Sequence, residues 1–525
     1  MRVKSTIINS TFNIIAQIIQ LVLSFIVRNL FIKYIGIEFL GLSGLFTNIL
    51  SALNLAELGV GTAITYYLYK PMTEMDKGKI KGLMIFYRKL YYSIGMFIIV
   101  IGLLILPLIQ FFIKDQSLDL PYIRVLFLIQ LAGTASTYFL AYKRTLLFVD
   151  QKNYIASIVD SSMNIVMMVV RVGALIYLKS YVAYSIVILI QTVLGNVIIS
   201  MICSRKYDFL KDKQLTAEHI DRKSVFRDLK NIVIEKIVSY IHYSTDNILI
   251  SKFIGLASTG LLANYTLIYS TVQTFIGQVT NAVQASLGNY INSGNEDRDV
   301  YIVFKRFSFL CYLCTSFSVV SFLVLIQPFI NLWLGEKYIL PYYIIIILCV
   351  SFFISVMRVP LIQMVSIYGL FKEMKYVAIL AASVNLTISI VMIQFIGVAG
   401  TLLGTLASEA IYFIGQSYYV LGIKLKIPLK VSIQRMGVFS FITISAVVAT
   451  VFTSNKLFIS ASIIAFIGRA CLCIFIPNFL NILVYWKSDE MKYYKNLFIL
   501  VYDKGLAKIR GGTNNRKREG SSNEE

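Results

Sequence analysis

Apolar runs of about twenty residues or more recur along the whole chain, and that recurrence leaves few folds open. A hydrocarbon core of ~30 Å takes ~20 residues of helix to cross. Inside lipid, only helices and closed barrels satisfy their own backbone. Composition agrees: the 525 residues are 57% hydrophobic and 14% charged, with a mean hydropathy of +0.74. A soluble domain carries about 25% charged residues. The expected fold is an all-α polytopic membrane protein with little room for a soluble domain. The first run is long and contains Asn and Gln, so it does not read as a cleaved signal peptide.

The runs divide into fourteen predicted spans, near 8–32, 39–68, 90–113, 121–142, 154–178, 181–203, 231–253, 259–290, 307–334, 340–368, 376–396, 398–422, 435–453 and 457–486. Lys and Arg test that count, because they accumulate in cytoplasmic connections. With the first residues inside, 37 of the 49 Lys and Arg fall in inside segments and six in outside ones. Both ends are therefore expected in the cytoplasm. The net charge of +22 is read as this loop bias and not as a nucleic-acid surface.

The chain also repeats itself. Lys33-Tyr-Ile-Gly36 with Gly41-Leu42 matches Lys252-Phe-Ile-Gly255 with Gly260-Leu261, 219 residues on. Pro107, Leu120-Pro121-Tyr122 and Tyr154-Ile155-Ala156 match Pro328, Leu340-Pro341-Tyr342 and Tyr376-Val377-Ala378, 220 to 222 residues on. Spans 1–6 and 7–12 are thus two copies of a six-helix unit. Six is even, so the copies insert the same way up and form a parallel repeat. The expected domains are a first lobe, 1–204; a basic cytoplasmic linker, 205–230; a second lobe, 231–424; two extra spans, 425–486; and a basic tail, 487–525, disordered at its end.

Polar residues inside spans mark candidate function, since charge at mid-membrane costs ~2.5–3.5 kcal/mol on insertion scales. At ~100° per residue, Asn13, Gln17, Gln20, Ser24 and Arg28 share one face of the first span. Asn231, Glu235, Ser239, His242 and Asp246 share one face of the seventh. These equivalent stripes are expected to line a cavity. The alternative is helix–helix hydrogen bonding. Arg28, Arg171 and Arg358 are the candidate substrate cations, because guanidinium suits a diphosphate through paired hydrogen bonds. Glu57, Glu235, His242, Asp246 and Glu409 are candidates for a coupling ion, with His242 one turn from Asp246. Arg469 reads as a structural ion-pair residue and Asp160 as a solvated one.

No catalytic set is present, and no Gly-rich phosphate loop with a Lys, nucleophile elbow or zinc motif. The six cysteines sit in or beside apolar runs. No cofactor, metal site or enzyme activity is expected, and energy must come from a gradient or from the substrate's own imbalance.

Asp246-Asn-Ile-Leu-Ile-Ser-Lys-Phe-Ile-Gly255 with Gly260-Leu261, the matching Gly36 and Gly41-Leu42, and Glu57-Leu-Gly-Val-Gly61 resemble the polysaccharide-transport (O-antigen flippase) family. That family belongs to the multidrug/oligosaccharidyl-lipid/polysaccharide exporter superfamily, with a MATE-like two-lobed fold. The resemblance implies a multi-pass protein of the bacterial inner membrane that moves undecaprenyl-diphosphate-linked oligosaccharides to the outer leaflet by alternating access. It implies a cationic cavity, leaves proton or sodium coupling open, and suggests glycan polymerase and chain-length proteins as partners. Peptidoglycan-precursor flippases carry Arg-Asp near the end of the first span, where this chain has Arg28-Asn29. Two other readings stand beside it. One is a cation-coupled multidrug exporter of the same superfamily, with an acidic and aromatic cavity. The other is a membrane oligosaccharide polymerase, which the short outside connections disfavour.

Overall fold

A computed structural model describes residues 2–54, 60–114, 119–212, 245–292, 296–458 and 462–499. Every predicted span meets helix among these residues. The first copy holds α1 (Arg2–Tyr34), α2 (Ile37–Leu53), α3 (Val60–Thr73), α4 (Lys77–Ile105), α5 (Leu120–Leu140), α6 (Arg144–Val149), α7 (Asn153–Gly173) and α8 (Tyr181–Lys206). The second holds α9 (residues 245–253), α10 (Leu256–Asn292), α11 (Asp297–Trp333), α12 (Tyr342–Met357), α13 (Val359–Tyr368), α14 (Phe371–Ile396) and α15 (Val398–Ser417). Then come α16 (Leu429–Leu457), α17 (Ile463–Tyr485) and a tail helix, α18 (residues 489–499). Eleven of the described helical stretches are long and apolar enough to cross a membrane, and Ile37–Leu53 is a shorter apolar helix. The protein is an all-α, multi-pass membrane protein.

The repeat is visible in backbone detail. After α1, the amides of Ile35 and Gly36 both donate to Phe31 O, at 2.8 and 3.3 Å. After α9, those of Ile254 and Gly255 both donate to Ile250 O, each at 2.9 Å. Gly36 and Gly255 take φ of 112° and 132°, which a side chain would resist. The next helices then touch through their equivalent glycines. A Cβ on Gly41 would lie 1.9 Å from Leu256 O, and one on Gly260 would lie 2.2 Å from Ile37 O. Gly41 and Gly260, like Ile37 and Leu256, stand 219 residues apart. A contact in which each residue meets the other's counterpart is the signature of two-fold symmetry.

The repeat-related prolines act on related helices. Pro107 opens a 3-10 turn, Leu106–Phe112, at the end of α4, and Pro328 lies within α11. Proline supplies no amide hydrogen and so loosens the helical ladder. A second break separates α12 from α13, where Pro360 stands at the start of α13 and Arg358 occupies the junction.

The chain packs as two compact units. One is drawn from residues 1–267 and 375–408, the other from 268–374 and 409–525. In the first, α1 packs on α7, α5 on α8, and α4 on α5. Its core runs through Phe31, Phe46, Tyr87, Phe127 and Tyr181. In the second, α11, α16 and α17 pack mutually around Val320, Val324, Ala446 and Cys473. The two spans outside the repeat are therefore seated on α11. The first turns of α18 are held there too: Tyr494 donates to Arg306 O at 3.0 Å, and Arg435 pairs with Glu490 at 3.1 Å.

Candidate functional site

Two polar networks lie inside the first unit, at equivalent helix triplets of the two copies. The first joins α1, α7 and α8. Arg171 donates from Nη2 to Asn164 Oδ1 at 3.1 Å and to Gln191 Oε1 at 2.8 Å, and from Nε to Met167 O at 3.3 Å. Asn164 Nδ2 donates to Gln20 Oε1 at 3.1 Å. Asn164 and Arg171 are seven residues apart, two turns on one face of α7. The network is cationic, and no carboxylate belongs to these bonds.

The second network joins α9, α14 and α15. Thr405 donates to Asp246 Oδ2 at 2.9 Å, and Asn385 Nδ2 donates to Thr405 Oγ1 at 3.2 Å. Ser389, one turn along α14, donates to Thr401 O at 3.4 Å. Glycines bring these helices together: a Cβ on Gly404 would lie 2.2 Å from Ser389 Oγ and 2.6 Å from Asn385 O. Gly397, at φ 61°, reverses the chain between α14 and α15. Asn385, Ser389 and Thr401 are fully buried. Among the described residues, two buried acceptor oxygens, Asp246 Oδ1 and Asn385 Oδ1, have no hydrogen-bond partner. Such orphans are expensive unless something fills them. A carboxylate, an amide oxygen and a hydroxyl together form a hard-oxygen set of one negative charge, which suits a small cation.

The second unit holds an ion pair at its heart. Arg358, at the α12/α13 break, meets Glu409 of α15 through a short Nη1 to Oε2 contact, with the side chains only 4% and 3% exposed. Its Nε donates to Gln416 Oε1 at 3.1 Å, and its guanidinium lies 4.4 Å from the Tyr412 ring centroid. Glu409, Tyr412 and Gln416 recur at three and four residues, one face of a helix. The unit also carries a long apolar groove of about 820 Å³ between α12 and α16, floored by α11. Val319, Leu323, Ile346, Val350, Val447 and Phe452 line it, and Asn455 and Lys456 stand at one end.

The sequence-based candidates distribute as follows. Gln20 and Arg171 share the first network, and Asp246 anchors the second. Arg358 and Glu409, assigned to substrate and coupling ion respectively, are partners. Arg28 lies half-buried near the end of α1, with Nη1 buried and without a partner among the described residues. Gln17 is half-buried on α1, and Ser24 donates back to Leu21 O at 2.7 Å. Asn13 lies on the part of α1 whose side chains are not described. Glu57, Asn231, Glu235, Ser239 and His242 lie outside the described residues, as do most of the linker and the end of the tail. Arg469 donates to Phe458 O at 2.6 Å rather than to a carboxylate. Asp160 is paired with Arg144 and not simply solvated. The sequence reading missed Asn385, Ser389, Thr401 and Thr405. Their signal was there, as two pairs of polar residues spaced i, i+4 on consecutive apolar spans.

No family model matches the chain, and no curated protein matches it in sequence. Solved structures do match in fold. An inward-facing multidrug-resistance MATE family transporter of the MOP superfamily superposes with a TM-score of 0.61 at 15% identity, over 78% of this chain and 95% of that one. The lipid II flippase MurJ, in an inward closed conformation, gives 0.61 at 16% identity, over 90% of this chain and 99% of that one. A MOP superfamily transporter from Pyrococcus furiosus, described as having a binding pocket of reverse polarity, gives 0.52 at 14% identity, over 79% and 95%. This chain therefore has the fold shared by MATE transporters and MurJ.

Proposed function

We propose that the protein is a flippase for lipid-linked oligosaccharides, working by alternating access in the bacterial inner membrane with both ends in the cytoplasm. The substrate is an undecaprenyl-diphosphate carrier with its glycan, moved to the outer leaflet for surface polysaccharide synthesis. The observation that carries this reading is the apolar groove between α12 and α16. Its apolar lining along α12 and α16 suits a hydrocarbon chain, which a water-soluble cation would not use. Arg171 and Arg28 are the diphosphate-facing cations in this reading. Arg358, already neutralised by Glu409, instead holds the α12/α13 break in place.

The Asp246 network serves as the coupling-cation site, with Asp246, Asn385 and Thr405 contributing oxygen and the ion supplying the driving force. One observation favours the superfamily's other activity, multidrug export: Asp246 is a buried carboxylate, and drug exporters need acid. The two readings separate in one experiment. Removing the gene should leave lipid-linked oligosaccharide accumulating on the cytoplasmic side and strip surface glycan, with drug susceptibility unchanged. Intact surface glycan together with new drug sensitivity would reverse the assignment.

A further inference from the structure

The first unit carries a third polar feature, which neither network uses. A groove of about 320 Å³ runs between α2, α5 and α8. On α2 it is lined by Ser43, Thr47, Ser51 and Asn54, which recur at four, four and three residues and so share one helical face. Gln130, Thr134 and Thr137 face it from α5, and Ser185 and Thr192 from α8. Among the described residues, no ionisable side chain lines it.

The hydrogen bonds already made there decide what it can accept. Thr47, Thr134 and Thr192 each donate to the carbonyl one turn back, at 2.8, 3.0 and 3.0 Å. Thr137 donates to Gly133 O at 3.3 Å. A hydroxyl has one hydrogen to give and two lone pairs to receive. With these four hydrogens spent inside the helices, the threonines present acceptor oxygens, while Gln130, Asn54 and the serine hydroxyls add neutral donors. Ser185 adds a hydroxyl that is 3% exposed as a residue and has no hydrogen-bond partner among the described residues. Leu50, Ile129, Ile188 and Leu189 supply apolar lining beside these polar groups, and a polar group left unsatisfied against lipid would cost several kcal/mol.

We infer that this groove is a subsite for the uncharged sugar portion of the transported molecule. Sugars present many hydroxyl donors and no charge, which matches acceptors without ions. The diphosphate, by contrast, meets no cation among the described residues of this groove, so the glycan and the charged linkage are gripped at separate places. The inference rests on the flippase reading and adds to it the residues that hold the glycan.

The test is a triple replacement, Thr47→Val with Thr134→Val and Thr192→Val, which keeps side-chain shape and removes the acceptors. The control is Ser445→Ala with Thr453→Val. Those hydroxyls also donate to their own helix, on α16, and line neither groove described above. Each variant is introduced into cells lacking the native gene, and its membrane level and surface glycan are measured. The groove variant should lower surface glycan about tenfold or more at normal protein level, while the control stays near wild type. Wild-type glycan from the groove variant overturns the subsite while leaving the flippase reading intact. Normal glycan from cells with no copy of the gene overturns the reading itself. Should the triple variant fail to reach the membrane, Thr47→Val with Thr192→Val, at an exposed and a half-buried position, carries the same comparison. Independently, the purified full chain in nanodiscs should transfer NMR saturation to maltotriose or chitotriose, and the groove variant should not. Equal transfer to both sugars from both proteins counts against the subsite.

Discussion

Consider Gly41→Ala. The new Cβ would sit 1.9 Å from Leu256 O. A carbon in favourable contact with a carbonyl oxygen stands at about 3.3–3.6 Å, so α2 and α10 must separate by about 1.4 Å at the crossing. Neither atom belongs to a flexible side chain, and rotamer change gives no relief. Inserting one methylene into a packed interior costs typically ~1–3 kcal/mol, and this crossing belongs at the upper end. Gly260→Ala makes the mirror-image clash, at 2.2 Å from Ile37 O, and should cost nearly as much. The informative variant is the double. Helices already forced apart by one methyl accept the second more easily, so the combined loss should fall short of the two single losses added together. Titration of the purified full chain with SDS in mixed micelles measures all three. Sites without mechanical coupling add to within ~0.3–0.5 kcal/mol. Additivity of that quality, or an indifferent Gly41→Ala, would refute the reciprocal contact and with it the two-fold reading of the repeat.

Other expectations follow from the same structure. If Asp246, Asn385 and Thr405 bind sodium, adding it at ten times Kd should stabilise the wild type by about 1.4 kcal/mol; Asp246→Asn and Asn385→Leu should each abolish the shift in a thermal assay, and a shift that persists in both would remove this site. Arg358→Met should destabilise by ~3–5 kcal/mol by stranding a buried carboxylate, and adding Glu409→Leu should recover much of that; a double variant no better than the single would show that the pair is not the cause. Outside the spans, burial alone would raise the Asp150 carboxyl, but hydrogen bonds from Lys152 and Tyr207 outweigh it and lower the pKa. Its stabilising contribution is present above the unfolded carboxylate pKa of ~3.9 and is lost as pH falls through the folded value, so Asp150→Asn should flatten the acid side of a stability-versus-pH curve and leave the alkaline side in place.

Much of the fold could be read from the residues, because lipid imposes period, length and charge asymmetry at once. The spans followed from apolar length. The doubled six-helix unit followed from Gly36, Gly41, Pro107 and their counterparts, which are backbone devices that only those residues supply. The site was less legible. Helical phase puts Gln20 and Arg28 on one stripe, but it does not say which neighbouring helix that stripe meets. Gln20 turned out to be bound to Asn164 of α7. Arg358 and Glu409 lie 51 residues apart. Two buried charges of opposite sign look alike in a sequence whether they face one another or a solvent path. The α14 and α15 oxygens went unread for a simpler reason: Ser, Thr and Asn are ordinary at helix contacts in membranes, and only the unfilled acceptors beside Asp246 set these apart.

The two networks carry a further argument. They occupy matching helix triplets, α1–α7–α8 and α9–α14–α15, so the duplicated backbone offers two equivalent polar seats. Position for position, however, Asp246 matches Val27 and Asn247 matches Arg28. The first seat is built around a guanidinium with its amide partners, and the second around a carboxylate with acceptors to spare. Symmetry is thus kept where geometry demands glycine and broken where charge decides the ligand. A carrier that moves an anionic linkage on a cation gradient, the function proposed above, would use that division. One seat must favour phosphate and the other must favour the driving ion, and two seats of the same sign would compete for one of them and leave the other without a place to bind.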